Sequence, residues 1–248
     1  MNSLRLALSW LTVVPIAGPE SVDRRAAHTA IALAPMVGLA LGGLAAAAMW
    51  VSAAGLTTLL AGLLTVGILG LLTRGMHLDG LADTVDGLGS YGPPERARQI
   101  MKSGGAGPFG VAALIFAVTI QAVAFAGLAD ARRWFAIVLA VALGRVAVVL
   151  ACRRGLAAAP DAGFGALVAG TQRPATVLGW TALALACALC AVPGNPWLGP
   201  LVTVAVLALA LLIVRHCVRR FGGLSGDVLG AVVEITVSLA AVGFSLGP

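Results

Sequence analysis

Long apolar runs, rather than alternating polar and apolar positions, dominate this chain of 248 residues. The runs are rich in Ala, Leu, Val and Gly, and about 20 mostly apolar residues allow a helix to cross a bilayer. We predict transmembrane helices near residues 29–50, 55–73, 109–128, 134–151, 176–193, 197–214 and 228–246. The pattern therefore predicts an all-α membrane protein, a polytopic bundle of about seven transmembrane helices.

A shorter apolar segment, residues 4–16, precedes these runs and contains Pro15 near its end. It is too short to cross a membrane as a helix, so we expect a short interfacial or re-entrant segment. The first long run begins beyond residue 25 and continues into the rest of the bundle, unlike a cleaved signal peptide. No linker or change of composition divides the chain, and we expect residues 1–248 to form a single integral membrane domain.

The basic residues indicate how the bundle lies in the membrane. The net charge is +6, but the basic residues are scattered between apolar runs, which argues against nucleic acid as a partner. Most precede the first run or lie in the loops at 74–107, 152–175 and 215–227. The positive-inside rule places these loops in the cytosol, in a multi-pass protein of the cytoplasmic (inner) membrane.

Acidic residues concentrate in HLDGLADTVDG, residues 77–87, although only 10% of the chain is charged. On a helix, Asp79, Asp83 and Asp86 fall within an arc of roughly 60°. Three like charges this close repel each other unless a cation neutralises them, and oxygen ligands favour magnesium or manganese. The alternative is a solvated helix face, but such a face has no need to be free of lysine and arginine.

A second acidic segment, residues 222–234, places Asp227 at the cytosolic start of the last helix and Glu234 two turns further on the same face. A carboxylate inside the membrane is costly and is a functional candidate by default. Two alternatives remain open. Glu234 would pair with the intramembrane Arg145, and Asp227 would only cap its helix.

Other polar residues near the acids are weaker candidates. His77 is either a base, a support for a metal ligand, or a structural histidine, which is the commonest case. In PPERARQIMKSGGAGPFG the prolines predict the start of a short helix at 94–102. Arg96, Arg98 and Lys102 would hold phosphate oxygens there, although attraction to anionic lipid explains these bases equally well.

The stretches RGMHLDGLADTVDGLGS and GGLSGDVLGAVVEIT resemble the cobalamin synthase family, the adenosylcobinamide-GDP ribazoletransferases. Weaker similarity in ALSWLTVVP, ERARQIMK, GAGPFGVAAL and ARRWFAIVLAVALGRVAVVLACRRGL extends the resemblance over nearly the whole chain. The chain departs from the family pattern at Val13, Ser103, Gly105 and Val237. These departures affect auxiliary phosphate contacts and leave the acids intact.

The resemblance implies an Mg²⁺-dependent phosphotransferase with its active site facing the cytosol. The family transfers the adenosylcobinamide-phosphate unit of adenosylcobinamide-GDP to the hydroxyl of α-ribazole or α-ribazole phosphate and releases GMP. Magnesium on convergent aspartates suits such a transfer. We expect catalytic and metal-binding roles for Asp79, Asp83, Asp86 and Asp227. We expect substrate contacts from Arg145, Lys102, Arg96, Glu234 and His77.

Two other functions match part of the pattern. DTVDG begins the signature of the CDP-alcohol phosphotransferases, but Leu88, Gly89 and Ser90 stand where that signature continues with Ala-Arg. A cation transporter would use the same acids, yet transport sites usually lie near the membrane midplane rather than at one edge. The expected partners are the two substrates and the lipid bilayer, and the sequence leaves a homo-oligomer open.

Overall fold

A computed structural model describes residues 3–16, 22–160 and 162–247. Within these ranges the chain is helical, without β-strands, which confirms the all-α class. The helices are α1 Ser3–Leu11, α2 Arg24–Ala32, α3 Ala34–Ala53, α4 Thr58–Leu72, α5 Met76–Gly89, α6 Pro94–Met101, α7 Pro108–Asp130, α8 Trp134–Ala151, α9 Phe164–Val168, α10 Pro174–Ala188, α11 Leu198–Phe221 and α12 Gly226–Ser245.

Five of the described helices, α3, α7, α8, α11 and α12, are long and apolar enough to cross a membrane. Helices α4 and α5 pass the same test only as a pair, and they are bent by 93° relative to each other. The chain is therefore a multi-pass membrane protein with five or six such spans. The predicted count of seven is approximate, because α4 and α10 have only 15 residues each.

Helices α8 and α12 form the centre of the bundle. α8 is buried along most of its length and packs against α3 and α12. α12 also contacts α5, α7 and α11, so it connects the core to the acidic helix. Large apolar side chains on the outside, such as Leu71, Phe116 and Leu178, are exposed as expected for a surface that faces lipid.

The connecting segments gather at two opposite ends of the bundle. At one end, Arg220 Nη2 donates to Ser90 O over 2.9 Å and joins the end of α11 to the end of α5. At the other end, Arg133 Nη1 donates to Leu246 O over 2.8 Å. The first end holds the loops that the sequence predicts to be cytosolic.

The N-terminal segment packs onto the bend between α4 and α5. Helix α1 has nine residues and is too short to cross a membrane, as predicted. Arg74 Nη2 donates to the carbonyl oxygens of Ser9 and Trp10 over 3.1 and 3.2 Å. Arg74 and Gly75 make the bend with positive φ angles of 56° and 68°, and glycine tolerates that region without strain. The bend turns α5 away from α4 and towards α12.

Candidate active site

The acidic helix α5 and the last helix α12 run antiparallel and touch through glycines. A Cβ atom on Gly80 would lie 2.7 Å from Asp227 O, and a Cβ on Gly230 would lie 3.2 Å from the Cα of His77. Glycine lets two helices approach this closely because it has no side chain to separate their backbones. The contact confirms that Asp227 lies beside the α5 acids, from which it is far removed in sequence.

The four aspartates form one electrostatic cluster at different depths. Asp79 is exposed, Asp83 and Asp227 are half-buried, and Asp86 is buried. The charges of Asp79, Asp86 and Asp227 all act on Asp83. In the described chain, Asp79 and Asp83 form no ion pair with lysine or arginine. No three His, Cys, Asp or Glu side chains of the described residues converge closely enough to hold a metal as they stand.

Asp86 caps the start of the neighbouring helix α7. Its Oδ2 accepts a hydrogen bond from Gly107 N over 2.6 Å, and its Oδ1 accepts one from Gly110 N over 2.9 Å. Helix α7 needs this help because its N-cap is a glycine, followed by Pro108, which has no N–H group. A negative charge is also favourable at the positive end of a helix. Asp86 thus has a structural role, capping α7, that was not predicted from the sequence. Its role as a metal ligand stays a prediction.

Asp227 does not cap its own helix. The N-cap of α12 is Ser225, whose side chain accepts a hydrogen bond from Val228 N over 3.3 Å. The alternative interpretation of Asp227 as the cap is therefore wrong. Its carboxylate is left to border two cavities, one of about 370 Å³ that Asp79 also lines and one of about 50 Å³. Asp227 lies between these two cavities.

The smaller of these cavities has a basic wall on helix α6, which begins at Pro94 as the sequence predicts. Arg98 and Lys102 line it, and the charge of Lys102 acts on Asp227. Arg98 is held in place, since Nη1 donates to Phe221 O over 2.8 Å and Nη2 pairs with Glu95 over 3.3 Å. Arg96, a predicted substrate contact, is exposed and lines neither cavity.

Glu234 and Arg145 lie deeper, in a separate polar group inside the bundle. Gln121 Nε2 donates to Glu234 Oε2 over 2.7 Å. All three side chains line a cavity of about 20 Å³, large enough for roughly one water molecule. Arg145 is buried, and its Nε has no hydrogen-bond partner. Arg145 and Glu234 make no direct ion pair in the described chain, so the alternative that they pair is wrong. Their predicted substrate contacts stay predictions.

His77 links the two polar regions. Its Nδ1 lies 3.4 Å from Arg145 Nη2, and its ring lines the cavity of about 370 Å³. Because arginine has only donors, Nδ1 must accept this hydrogen bond, and a neutral ring then carries its proton on Nε2. His77 therefore carries its donor on the ring nitrogen that does not contact Arg145.

Comparison with known proteins identifies the family. A family model described as cobalamin-5-phosphate synthase matches residues 3–245. The chain belongs to this family. A relative from Corynebacterium diphtheriae, named adenosylcobinamide-GDP ribazoletransferase, is 34% identical over 97% of this chain and 90% of its own. A relative of the same name from Frankia casuarinae is 39% identical over 96% of this chain and 92% of its own. No solved structure matches the chain.

Membership of the cobalamin-5-phosphate synthase family confirms the resemblance read from the acidic motifs. It also confirms that the chain is a transferase of cobalamin biosynthesis, and it does not favour the CDP-alcohol phosphotransferase or the cation transporter. A further relative of the same name, from Nocardioides, is 38% identical over 96% of this chain and 95% of its own. The acidic cluster is therefore the candidate active site of a family member.

Three residues beside the candidate site were not predicted from the sequence. Trp10, Arg74 and Phe164 line the cavity of about 370 Å³ together with Asp79 and Asp227. An aromatic residue in a short amphipathic helix indicates only a membrane interface, and an arginine between spans indicates only topology. No local signal in the sequence connects these residues to the acids.

Proposed function

We propose that this chain transfers the adenosylcobinamide-phosphate unit of adenosylcobinamide-GDP to the hydroxyl of α-ribazole or α-ribazole phosphate. The products are GMP and adenosylcobalamin or its phosphate. The observation that carries the proposal is the approach of Asp227 to the α5 acids beside a cavity. The relatives that match nearly the whole chain carry the name of this activity.

The transfer requires one bond to form and one to break. The hydroxyl oxygen attacks the phosphorus that bears the cobinamide, and the bond from that phosphorus to the GMP oxygen breaks. The hydroxyl proton passes to a nearby base, for which we propose the carboxylate of Asp79, since it is exposed and borders the cavity. GMP leaves with the electron pair of the broken bond.

The donor chemistry of the cluster fits a hard divalent cation. Asp83 and Asp227 offer carboxylate oxygens on two helices in close contact, and Asp83 has no basic partner among the described residues. We propose that they hold Mg²⁺, with Asp79 beside them, and that Asp86 fixes the start of α7. Bound there, Mg²⁺ would neutralise charge on the phosphoryl oxygens.

The basic wall of the small cavity suits the phosphate groups of the donor substrate. Arg98 and Lys102 line the small cavity, which shares Asp227 with the large cavity. Guanidinium and ammonium groups bind phosphate oxygens by charge-assisted hydrogen bonds. We propose that they orient the diphosphate so that the bond to be broken lies beside Asp83 and Asp227.

We also propose that the site faces the cytosol from the cytoplasmic membrane. The end of the bundle that carries the acids also carries Arg24, Arg98 and Arg220, as the positive-inside rule requires of the cytosolic side. Nucleotide substrates are available in that compartment.

The direct test uses purified protein in lipid nanodiscs with adenosylcobinamide-GDP and α-ribazole. We expect GMP and a cobalamin product in equal amounts, loss of both with a chelator, and recovery with added Mg²⁺. Asp83→Asn should be inactive, whereas the matched change Asp130→Asn, at the other end of α7, should retain activity. Absence of GMP from wild-type protein, or release of CMP from a CDP-alcohol, would contradict the proposal.

A further inference from the structure

The cavity of about 370 Å³ is lined by both polar and apolar residues. Asp79, Asp227, His77 and Arg74 give it polar groups. Most of the remaining wall is apolar and includes Trp10, Leu11, Ile31, Val148, Phe164 and Leu229. A pocket of this kind binds a ligand whose apolar part is buried and whose polar part is held by a few directed groups.

Two aromatic rings form part of the apolar wall. Trp10 of α1 and Phe164 of α9 meet edge to face, with ring centroids 4.9 Å apart and planes at 76°. Both rings are half-buried, so each retains surface that a ligand can cover. Aromatic side chains arranged in this way contact another planar ring favourably, through offset or edge-to-face packing.

Two arginines hold this aromatic wall in place. Arg74 donates to Trp10 O and Ser9 O at the end of α1. Arg24 Nη2 donates to Ala169 O over 2.6 Å, at the end of the helix that carries Phe164, and Arg24 Nη1 donates to Ala166 O. The two short helices are therefore fixed to the bundle where their rings meet. A wall fixed in advance loses less entropy when a ligand binds.

We infer that this cavity binds the acceptor nucleoside, with its apolar planar base against Trp10 and Phe164 and its hydroxyl towards Asp79 and Asp227. The inference rests on the proposed function and assigns one substrate to one cavity. The base of α-ribazole is a bicyclic ring with two methyl groups and no exocyclic hydrogen-bonding group, so an apolar wall suits it. The hydroxyl then lies beside Asp79 and Asp227, next to the carboxylate that removes its proton.

The volume of this cavity distinguishes α-ribazole from adenosylcobinamide-GDP as its ligand. Ligand pockets for drug-sized molecules run from about 300 to 1,000 Å³, and 370 Å³ lies at the lower end of that range. A nucleoside fits such a space, whereas a corrin macrocycle with its side chains is several times too large. The corrinoid must therefore bind outside this cavity, with its phosphate reaching the acids from the side of Arg98 and Lys102.

The test is steady-state kinetics with each substrate varied in turn. We expect Trp10→Leu and Phe164→Leu to raise the KM for α-ribazole at least tenfold, and to change the KM for adenosylcobinamide-GDP less than twofold. Trp10→Phe should restore most of the affinity because it keeps an aromatic ring. The matched control is Trp197→Leu, an exposed tryptophan at the opposite end of the bundle, which should change neither KM.

Direct binding of radiolabelled α-ribazole to the same proteins keeps the inference separate from the proposed function. Weaker binding of α-ribazole by Trp10→Leu than by wild type supports the inference, whether or not wild type releases GMP. A wild-type protein that releases no GMP contradicts only the proposed function. An unchanged KM for α-ribazole in both leucine variants, or a raised KM for the corrinoid substrate instead, overturns the inference.

Discussion

The backbone of Gly80 lies directly against that of Asp227, so that a Cβ on residue 80 would stand 2.7 Å from the carbonyl oxygen of Asp227. Real Cβ atoms do not approach a carbonyl oxygen that closely, so any side chain here must push α5 and α12 apart. The acids of the candidate site lie on these two helices. Their spacing therefore depends on the absence of one methyl group.

The first prediction concerns this contact. Gly80→Ala should lower turnover by about 100-fold, because a shift of about 1 Å in catalytic groups has an effect of that size. Gly67→Ala in α4 is the matched control, since a Cβ there meets no atom within 4 Å. It should keep full activity and gain up to about 1 kcal/mol of stability from helix propensity. Equal activity of the two variants would show that the close contact is not needed.

The second prediction separates Asp83 from Asp86. Asp83→Asn should abolish turnover without lowering the temperature of thermal unfolding, because Asp83 has no ion pair with a described residue and the neighbouring acids repel its charge. Asp86→Asn should destabilise the protein by about 1–2 kcal/mol, because Gly107 N and Gly110 N donate to different oxygens of Asp86 and asparagine has only one acceptor oxygen. Thermal unfolding in detergent measures the difference. Equal stability of the two variants would remove the capping role.

The third prediction separates Asp227 from the true cap of α12. Asp227→Asn should need more Mg²⁺ for whatever activity remains, since the site loses one carboxylate and keeps the others. Ser225→Ala should cost about 1 kcal/mol of stability, because Ser225 caps the helix. It should change the Mg²⁺ requirement less than Asp227→Asn does, because it removes a hydrogen bond to the Asp227 carboxylate and no metal ligand. A Mg²⁺ titration of both variants measures this. Identical metal dependence in Asp227→Asn and wild type would remove Asp227 from the metal site.

The helices and the acidic face of α5 could be predicted from the sequence, because each depends on a pattern within one short segment. The spacing of Asp79, Asp83 and Asp86 predicted the helix that the structure shows as α5, and the prolines predicted the start of α6. The long apolar runs predicted the spans because backbone groups in lipid must be hydrogen-bonded within a helix. The approximate span count came from treating every long run as a straight helix.

The other features of the candidate site depend on contacts between segments that are far apart in the sequence. Asp86 looked equivalent to its neighbours on the helix face, and only the packing of α7 against α5 shows that it accepts hydrogen bonds from Gly107 and Gly110. The cavity wall joins Trp10 to Phe164, two rings separated by most of the bundle in sequence. Periodicity describes one helix at a time and carries no information about such pairs.

The fourth prediction tests the orientation of the site. In a background without the four native cysteines, Ser103→Cys and Ala131→Cys place single exposed thiols at opposite ends of α7. The thiol at residue 103 should resist a membrane-impermeant reagent in intact cells and react after permeabilisation, whereas the thiol at residue 131 should react in both. The reversed pattern would place the acids outside the cytosol.

The fifth prediction concerns Arg145 and Glu234, which share a small buried cavity and act electrostatically on each other without a direct ion pair. Arg145→Met should destabilise the protein by about 1–3 kcal/mol, because it leaves the carboxylate of Glu234 without a nearby compensating charge inside the bundle. Adding Glu234→Gln should recover much of that loss, since the amide oxygen can still accept from Gln121 Nε2.

Thermal unfolding of the single and double variants in detergent measures this coupling. Arg96→Met, a change at an exposed position on α6, is the control and should stay within about 0.5 kcal/mol of wild type. If Arg145→Met unfolds like wild type but loses affinity for adenosylcobinamide-GDP, Arg145 contacts phosphate as the sequence suggested. If the double variant is as unstable as the single variant, the two charges do not balance each other, and Arg145 stabilises the bundle through its contacts with His77 and Val141 O.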